Sequence, residues 1–171
     1  MKAIPLIKLF GAAHCHKTHY YKLILEELKL PYLFLDVEED EHAAKELRLL
    51  YENKKLNYPT ITIGSKKLRN PYKDELIKWI YKLIPQLIPI QHDQENEEFL
   101  LPINEEIARI TYYTKENKLY LTHSEVPYNL RGRGIGSVLV EKTLKKIEEE
   151  GLCAIAVCPF IKKIQRVVMN K

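Results

Sequence analysis

A change of pattern near the middle of the chain limits what this sequence can fold into. Pro85 and Pro89 end a run of helical apolar spacing, and the stretch from His92 to Glu98 is polar and mostly acidic. Proline lacks a backbone N–H and cannot continue a helix, so these positions favour a boundary. The 171 residues are enough for two small domains. We therefore predict two domains, residues 1–90 and residues 91–171.

The first half alternates between strand and helix patterns. Short apolar or β-branched runs predict strands at residues 4–10, 32–37 and 60–63, and Gly64 to Lys67 predicts a hairpin turn. Apolar residues at helical spacing predict three helices: Tyr20, Leu23, Ile24 and Leu28 in the first, Ala43, Leu47, Leu50 and Tyr51 in the second, and Leu76, Ile77, Ile80, Leu83 and Ile84 in the third. The order βαβαββα predicts an α/β domain with a small mixed sheet and helices on both faces.

The second half begins with strands and ends with helices, which predicts an α+β domain. Residues 98–102, 106–113 and 118–123 form three strand patterns joined by polar turns, so antiparallel pairing is expected. A helix of about four turns follows from Ile135 to Glu150, with Gly151 as its terminating residue. Its expected buried stripe is Val140, Leu144 and Ile147. A strand at residues 152–157 and a short basic helix complete the chain.

Composition and charge favour a soluble protein of the cytoplasm. Three cysteines, an odd number, argue against a disulfide-stapled secreted domain. No apolar stretch approaches the ~20 residues of a membrane-spanning helix. Residues 1–85 hold 15 Lys/Arg and 11 Asp/Glu, whereas residues 86–171 hold 12 of each. No Lys/Arg run has interleaved aromatic residues, so a nucleic-acid partner is not expected, and neither is a membrane.

The first chemical feature is a cysteine between the first strand and the first helix. Cys15 is expected at a helix N-terminus, where free N–H groups and the helix dipole stabilise a thiolate. Its neighbours His14, His16, Lys17 and His19 can add positive charge. This position is consistent with a reactive thiol, and equally with a half-buried cysteine of no chemical use.

Further residues give the first half a family resemblance. It resembles the glutaredoxin group of the thioredoxin-like superfamily from about residue 6 to residue 80. The resemblance rests on Leu9-Phe10-Gly11, on Cys15, on Leu35-Asp36-Val37, on Tyr58-Pro59-Thr60 and on Asn70-Pro71. It implies a cis proline at Pro59, packed with Tyr58 beside the Cys15 thiol.

The chain departs from the cysteine motif of that family in a way that limits the chemistry. The family has Cys-Pro-x-Cys or Cys-Pro-x-Ser, and here the fourth position is Thr18. Thr18 can hydrogen-bond a thiolate but cannot close a disulfide, so only monothiol exchange remains, with glutathione as a possible thiol co-substrate. A metal site is not expected, because the histidines around Cys15 cannot easily converge on one ion from a helix start.

The second chemical feature is a glycine-rich turn that opens a helix. Arg131, Gly132, Arg133, Gly134, Ile135 and Gly136 place three of the six glycines within five positions. Exposed backbone N–H groups at such a helix start bind phosphate, and the arginines add positive charge. The pattern is neither a Walker A motif nor a complete dinucleotide fingerprint. The alternative is a flexible turn with no ligand.

The pattern Arg-x-x-Gly-x-Gly gives the second half its own resemblance. It resembles the acyl-CoA pyrophosphate loop of the GNAT acetyltransferase superfamily, together with the stretch Leu121 to Pro127 and the Cys158-Pro159-Phe160 ending. The resemblance covers residues 97–171 and is closest to the small stand-alone members. It implies that acetyl-CoA is bound with its pyrophosphate on residues 131–136. Its pantetheine arm would then lie between strands ending near Val126 and Val157.

Acyl transfer requires groups that move protons or accept the acyl group. Glu125 is the nearest carboxylate to the loop. It is either the base that deprotonates the acceptor or a surface residue with no catalytic role. Cys158 ends a strand near the expected thioester, either as an acyl-accepting nucleophile or as a packed small residue. Cys153 is expected to lie in the core.

Taken together, these features predict an acetyl-CoA-binding N-acetyltransferase domain fused to a monothiol glutaredoxin-like redox domain. One alternative is a CoA-binding, redox-sensing regulatory module without efficient transfer. Another is a thiol–disulfide enzyme acting on glutathione or CoA mixed disulfides. The acceptor, an amine or a thiol, is not identified by the sequence.

Overall fold

The computed structural model describes residues 4–170. Contacts divide this part of the chain into two compact units that meet in sequence between Leu83 and Ile84. This division lies a few residues before the position near residue 90 that the prolines suggest. In the described residues no helix is both long and apolar enough to cross a membrane.

The first domain has the predicted order βαβαββα. Its elements are β1 (Ile7–Gly11), α1 (His16–Glu27), β2 (Leu33–Asp36), α2 (Glu41–Leu49), β3 (Thr60–Ile63), β4 (Lys66–Arg69) and α3 (Lys73–Leu83). The sheet order is β2-β1-β3-β4, with β1 and β2 parallel and the other pairs antiparallel. This topology is thioredoxin-like and confirms the predicted fold class.

The core of the first domain follows the sequence pattern except on α1. The interior strand β3 is buried along its whole length, as expected for a strand covered on both faces. On α1, Tyr21, Ile24 and Leu25 are buried, whereas Tyr20 and Leu23 are about half exposed. The predicted α1 face was therefore wrong by about one position, because Thr18 packs into the sheet beside Gly11 and fixes the helix rotation.

Pro59 directly precedes β3, and the Tyr58–Pro59 peptide is cis. The cis form agrees with the family resemblance. The strand that follows is not an edge strand, since β3 lies between β1 and β4. A proline is tolerated because it stands before the strand and is not required to donate in the ladder.

The second domain is built on a five-stranded sheet of order β5-β6-β7-β8-β9. Its elements are β5 (Gln91–Asp93), β6 (Glu98–Ile103), β7 (Glu106–Lys115), β8 (Lys118–Glu125), α4 (Ile135–Glu149), β9 (Cys153–Ala156) and α5 (Pro159–Met169). Strands β5 to β8 are antiparallel, and β8 pairs with β9 in parallel. The predicted combination of α/β and α+β domains is confirmed.

The short strand β5 begins at the predicted domain boundary and runs into the polar stretch that follows it. His92 anchors it, with Nδ1 2.5 Å from Glu150 Oε2 and Nε2 2.8 Å from the Tyr112 hydroxyl. The imidazole also stacks on Phe99 at 4.1 Å between ring centroids. A polar segment therefore becomes part of the sheet through one buried histidine.

Helix α4 ends as predicted, at Gly151 in the left-handed region with φ of 68°. Gly151 N–H donates to the Glu148 carbonyl and Leu152 N–H donates to the Ile147 carbonyl, which is a Schellman motif. The expectation that Cys153 lies in the core was wrong. Cys153 is exposed, because β9 is the last strand of its sheet and Cys153 alternates with buried positions.

Strands β8 and β9 separate after one final pair, Leu121 and Ala156. The Leu121 carbonyl accepts hydrogen bonds from the N–H groups of both Val157, at 2.9 Å, and Cys158, at 3.1 Å. Strand β8 continues to Glu125, whereas β9 ends at Ala156 and is followed by α5 from Pro159. A gap therefore opens between the end of β8 and the start of α5.

Candidate functional site

The gap between β8 and α5 continues into a cleft of about 580 Å³. It is lined by the end of β8, by the glycine-rich turn and by the first residues of α5: His123, Ser124, Glu125, Val126, Leu130, Arg131, Gly132, Gly134, Ile135, Gly136, Ser137, Cys158 and Phe160. The structure therefore brings together all but one of the predicted cofactor-binding residues, with Arg133 exposed beside them.

The glycine-rich turn leaves the start of α4 open to a ligand. Gly134 is the N-cap residue, with φ of 79° and ψ of 7°, and Gly132 also has a positive φ of 74°. A β-carbon at either glycine would meet no atom within 4 Å, so the space above the turn is free. The first intrahelical bond is donated by Val138 to the Gly134 carbonyl. The N–H groups of residues 135–137 have no intrahelical acceptor and can bind an anion.

Gly136 is required for a different reason. A β-carbon there would lie 2.9 Å from Phe160 Cζ and 3.6 Å from Val126 Cγ2. This close approach packs the first turn of α4 against the start of α5. Gly136 therefore sets the width of the cleft. Gly132 and Gly134 instead allow the backbone of the turn to adopt positive φ.

Arg131 has a structural contact in addition to its place on the cleft wall. Its Nε donates to the Val126 carbonyl at 3.0 Å, and its guanidinium lies 5.9 Å from the centre of the Tyr128 ring. Arg131 thus ties the end of β8 to the glycine-rich turn. Arg133 is exposed and is the more available of the two cations for an anion.

Cys158 is placed at the N-cap of α5, with Pro159 at the first helical position. Its half-buried Sγ lines the cleft and lies 3.9 Å from Ser124 Oγ. Burial opposes ionisation of this thiol, but the N–H groups of Ile161 and Phe160 and the Ser124 hydroxyl outweigh it, so the pKa of Cys158 is lowered.

Glu125 points toward an arginine on the neighbouring strand. It lies opposite Arg109 in the register of β7 and β8, and its Oε2 is 3.9 Å from Arg109 Nε. Arg109 also pairs with Glu98 at 3.3 Å. Glu125 is exposed at the cleft, where it is accessible to a substrate.

His123 also lines the cleft, and the sequence analysis gave it no role. It lies opposite Thr111, and the register shifts between His123 and Leu121, so that Thr122 is skipped in the residue-by-residue pairing with β7. Such a bulge re-aims neighbouring side chains. Its position two residues before Glu125 on the same strand could have indicated that it lies near the cleft. The bulge that turns it toward the cleft cannot be deduced from strand alternation.

In the first domain, Cys15 is the N-cap residue of α1, as predicted. Burial opposes ionisation of its thiol, but the N–H groups of Thr18 and Lys17, the Thr18 hydroxyl and the Lys17 charge outweigh it. The pKa of Cys15 is therefore lowered. Thr18 Oγ1 also accepts a hydrogen bond from the buried Ala12 N–H at 3.3 Å.

Two acidic residues with no role predicted from the sequence, Asp36 and Glu38, lie beside the Cys15 turn. Asp36 at the end of β2 accepts a hydrogen bond from the Ala13 N–H at 2.9 Å. Glu38 accepts a hydrogen bond from the Tyr58 hydroxyl and lies 3.4 Å from His14 Nδ1. The hydrogen bond to Glu38 raises the pKa of Tyr58, and the negative charge of the Cys15 thiolate adds to this effect. Within residues 4–170, no three His, Cys, Asp or Glu side chains are grouped as metal ligands.

Comparison with known proteins gives a clear result for the second domain. A model of the GCN5-related N-acetyl-transferase family matches residues 98–167. Protein NATD1 of Gallus gallus is 36% identical over 86 residues, which are 47% of this chain and 78% of that protein. Protein NATD1 of Homo sapiens is 34% identical over 79 residues, 44% of this chain and 70% of that protein.

Among solved structures, a crystal structure of a mutant of the thioredoxin-like protein BC3987 is 24% identical in sequence. It covers 50% of this chain and 97% of its own, with a TM-score of 0.37. The NATD1 proteins are matched over more than two thirds of their length. The residues matched by the family model include the cleft and the glycine-rich turn. Through its second domain, the chain belongs to the GCN5-related N-acetyl-transferase family.

Proposed function

We propose that the second domain transfers an acetyl group from acetyl-CoA to an amine. The observation that carries this proposal is the position of the gap between β8 and α5, which opens directly beside the glycine-rich start of α4. One end of the cleft offers N–H groups to a pyrophosphate, and the other offers a thiol, an imidazole and a carboxylate.

The proposed binding mode uses backbone groups for the phosphates. The free N–H groups of residues 135–137 and the positive end of α4 would hold the pyrophosphate. The open space above Gly132 and Gly134 lets the anion approach the main chain closely. Arg133 would add one charge-assisted contact. The Val126 carbonyl is held by Arg131, which leaves the main chain around Val126 fixed beside the thioester.

Cys158 is the proposed acyl acceptor. Its thiolate would attack the thioester carbonyl, forming a carbon–sulfur bond to Cys158 as the bond to the CoA sulfur breaks. The CoA thiolate would leave and take up a proton. An acceptor amine would then attack the acyl-cysteine, restoring the Cys158 thiolate and releasing the amide and one proton.

Glu125 and His123 are the proposed proton acceptors for the amine. Both line the cleft, and each can take the proton that the amine nitrogen loses as it attacks the acyl carbon. Arg109 lies 3.9 Å from the Glu125 carboxylate and orients it toward the strand edge.

The direct test is release of free CoA from acetyl-CoA in the presence of a panel of primary amines. Wild-type protein is compared with Cys158→Ala, Glu125→Gln and His123→Gln. Acetyl transfer by wild type and its loss in Cys158→Ala are expected. Absence of transfer to every amine would leave CoA binding without turnover as the function of this domain.

We also propose monothiol exchange at Cys15. The supporting observation is a half-buried thiol of lowered pKa at a helix N-cap, in a domain with no second cysteine. The Cys15 thiolate would attack a disulfide and displace one thiolate. A second thiol such as glutathione would then resolve the mixed disulfide and regenerate Cys15. All three cysteines are free, which agrees with the reducing cytoplasm as the proposed location.

Reduction of a glutathione mixed disulfide on a small peptide tests this second activity. Wild-type protein should accelerate the reaction and Cys15→Ser should not, while Cys158→Ser should behave as wild type. Equal rates for wild type and Cys15→Ser would remove the redox role.

A further inference from the structure

The first domain separates its charges between the two edges of its sheet. Residues 4–50 carry six Lys/Arg and eight Asp/Glu, whereas residues 51–83 carry eight Lys/Arg and only three Asp/Glu. Four of the acidic residues, at positions 38–41, directly follow β2, which is one edge strand, and three of the basic residues lie in β4, which is the other. The edge of the sheet at β4 is therefore basic.

We define the basic edge as four cations around β4 and α3. Three of them, Lys66, Lys67 and Arg69, are three of the four residues of β4, and Lys82 comes from α3. Lys66 and Lys82 both lie over the Trp79 ring, at 3.7 Å and 4.6 Å from its centre. Trp79 therefore joins the helix cation to the strand cations.

No cation of the basic edge is paired with a carboxylate within residues 4–170. Elsewhere in the same domain, Lys8 pairs with Glu46, and Arg48 pairs with Glu41. Lys67 instead lies 4.1 Å from the centre of the Tyr51 ring and donates to the Leu50 carbonyl. The aromatic rings hold these ammonium groups in place without neutralising them.

The backbone of β4 is available on its outer side. β4 pairs with β3 on one side only and ends the sheet in the described residues. An edge strand presents unpaired N–H and C=O groups that an added strand can use. Main-chain hydrogen bonds would supply affinity there, and the cations on both faces of β4 would select for carboxylates.

We propose that the basic edge binds an extended, carboxylate-rich peptide of a partner protein, which adds as a further strand to β4. A single-stranded nucleic acid fits less well, because its bases need free aromatic faces. Trp79 is already covered by two lysines, which leaves the 87% exposed Tyr72 as the one strongly exposed ring near this edge in the described residues.

The test is fluorescence anisotropy of the full chain with a labelled peptide made of three Glu-Val-Glu repeats. A Glu-Pro-Glu version carries the same charge but cannot form a continuous ladder, because proline lacks the N–H donor. The variant is Arg69→Glu, with Arg69→Lys as rescue. Lys45→Glu is the matched control, since Lys45 is exposed on α2 and unpaired in the described structure.

Binding of the Glu-Val-Glu peptide should weaken about tenfold or more in Arg69→Glu and less than about twofold in Lys45→Glu. It should also weaken with added salt and with the proline peptide. Amide hydrogen exchange at residues 66–69 should slow when the Glu-Val-Glu peptide binds.

Three results would overturn the proposal. Equal binding of the two peptides would exclude strand addition. Tighter binding of an oligothymidylate of equal charge, lost in Tyr72→Ala, would assign the surface to nucleic acid. No binding of any probe would mean that these cations only protect the edge strand against pairing with other chains.

Discussion

The thiol of Cys158 lies 3.9 Å from the hydroxyl of Ser124, across the gap that opens where β8 and β9 separate. This hydroxyl and the first N–H groups of α5 favour the thiolate over the thiol. Ser124→Ala should therefore raise the pKa of Cys158 and slow its alkylation at neutral pH. The rate of iodoacetamide labelling against pH, read by mass spectrometry, measures this change. An unchanged profile would show that the hydroxyl contributes nothing.

The two glycines at the ends of α4 form a matched pair. Gly134 and Gly151 both have positive φ, and a β-carbon at either would meet no atom within 4 Å. Gly134→Val and Gly151→Val should each destabilise the fold by roughly 1–2 kcal/mol or more. Only Gly134→Val should also abolish CoA binding, because its side chain would occupy the space left for the pyrophosphate.

Calorimetric titration of CoA and dephospho-CoA into both variants distinguishes a loss of CoA affinity from a loss of stability caused by backbone strain. Arg133→Ala should weaken CoA binding less than Gly134→Val does, by about 1–3 kcal/mol for the loss of one charge-assisted contact. Wild-type affinity in a folded Gly134→Val protein would contradict the proposed phosphate site.

Cys15 should be alkylated faster than Cys153 at neutral pH. Its pKa is lowered by the N–H groups and hydroxyl at the start of α1, against the effect of its burial, so its thiolate fraction at neutral pH is larger. Labelling between about pH 6 and pH 9, around the ordinary thiol pKa of ~8.5, measures this. Equal rates for the two cysteines across that range would rule out an activated Cys15.

Gly11 and Thr18 should be coupled in stability. A β-carbon at Gly11 would overlap the Thr18 side chain, with Cγ2 at 2.6 Å. Gly11→Ala should destabilise the first domain by about 1–3 kcal/mol through overpacking. Adding Thr18→Ala should recover part of this loss, which urea unfolding of the single and double variants measures. Additive losses would show that the two residues do not interact.

The hydrogen bond between His92 and Glu150 should give the second domain an acid-sensitive stability. Burial opposes ionisation of Glu150, but the His92 ring and Lys146 outweigh it and lower the pKa of Glu150. This contribution is present above the unfolded pKa of ~4.3 and is lost as pH falls through the lower folded value.

Glu150→Gln should therefore be destabilised by about 1–3 kcal/mol at neutral pH and by less in acid. Glu148→Gln is the control, because Glu148 is exposed and has no side-chain partner in the described residues. Urea unfolding at neutral and acidic pH checks both variants. A difference in unfolding free energy between wild type and Glu150→Gln that is the same at both pH values would contradict the assignment of this acid sensitivity to Glu150.

The order of elements could be predicted from the sequence because apolar spacing and turn residues act locally. The glycine-rich turn was found in the same way, since glycine at a helix start has a direct backbone reason. Gly134 and Gly151 both occupy the left-handed region, as their positions predict.

The parts that could not be predicted depend on long-range pairing. The rotation of α1 follows from the contact of Thr18 with Gly11, and the strand at His92 follows from a glutamate 58 residues away. The orientation of His123 depends on a bulge that only the register of β7 and β8 creates. Such contacts join residues whose local sequence carries no sign of their partners.

The shared carbonyl of Leu121 has an evolutionary consequence. Because one oxygen receives the N–H groups of both Val157 and Cys158, the opening beside it is produced by main-chain pairing and not by the side chains that line it. Substitutions of lining side chains such as Glu125 can then change the chemistry of the opening while the opening itself persists. The main chain supplies the entrance, and the side chains around it are free to vary.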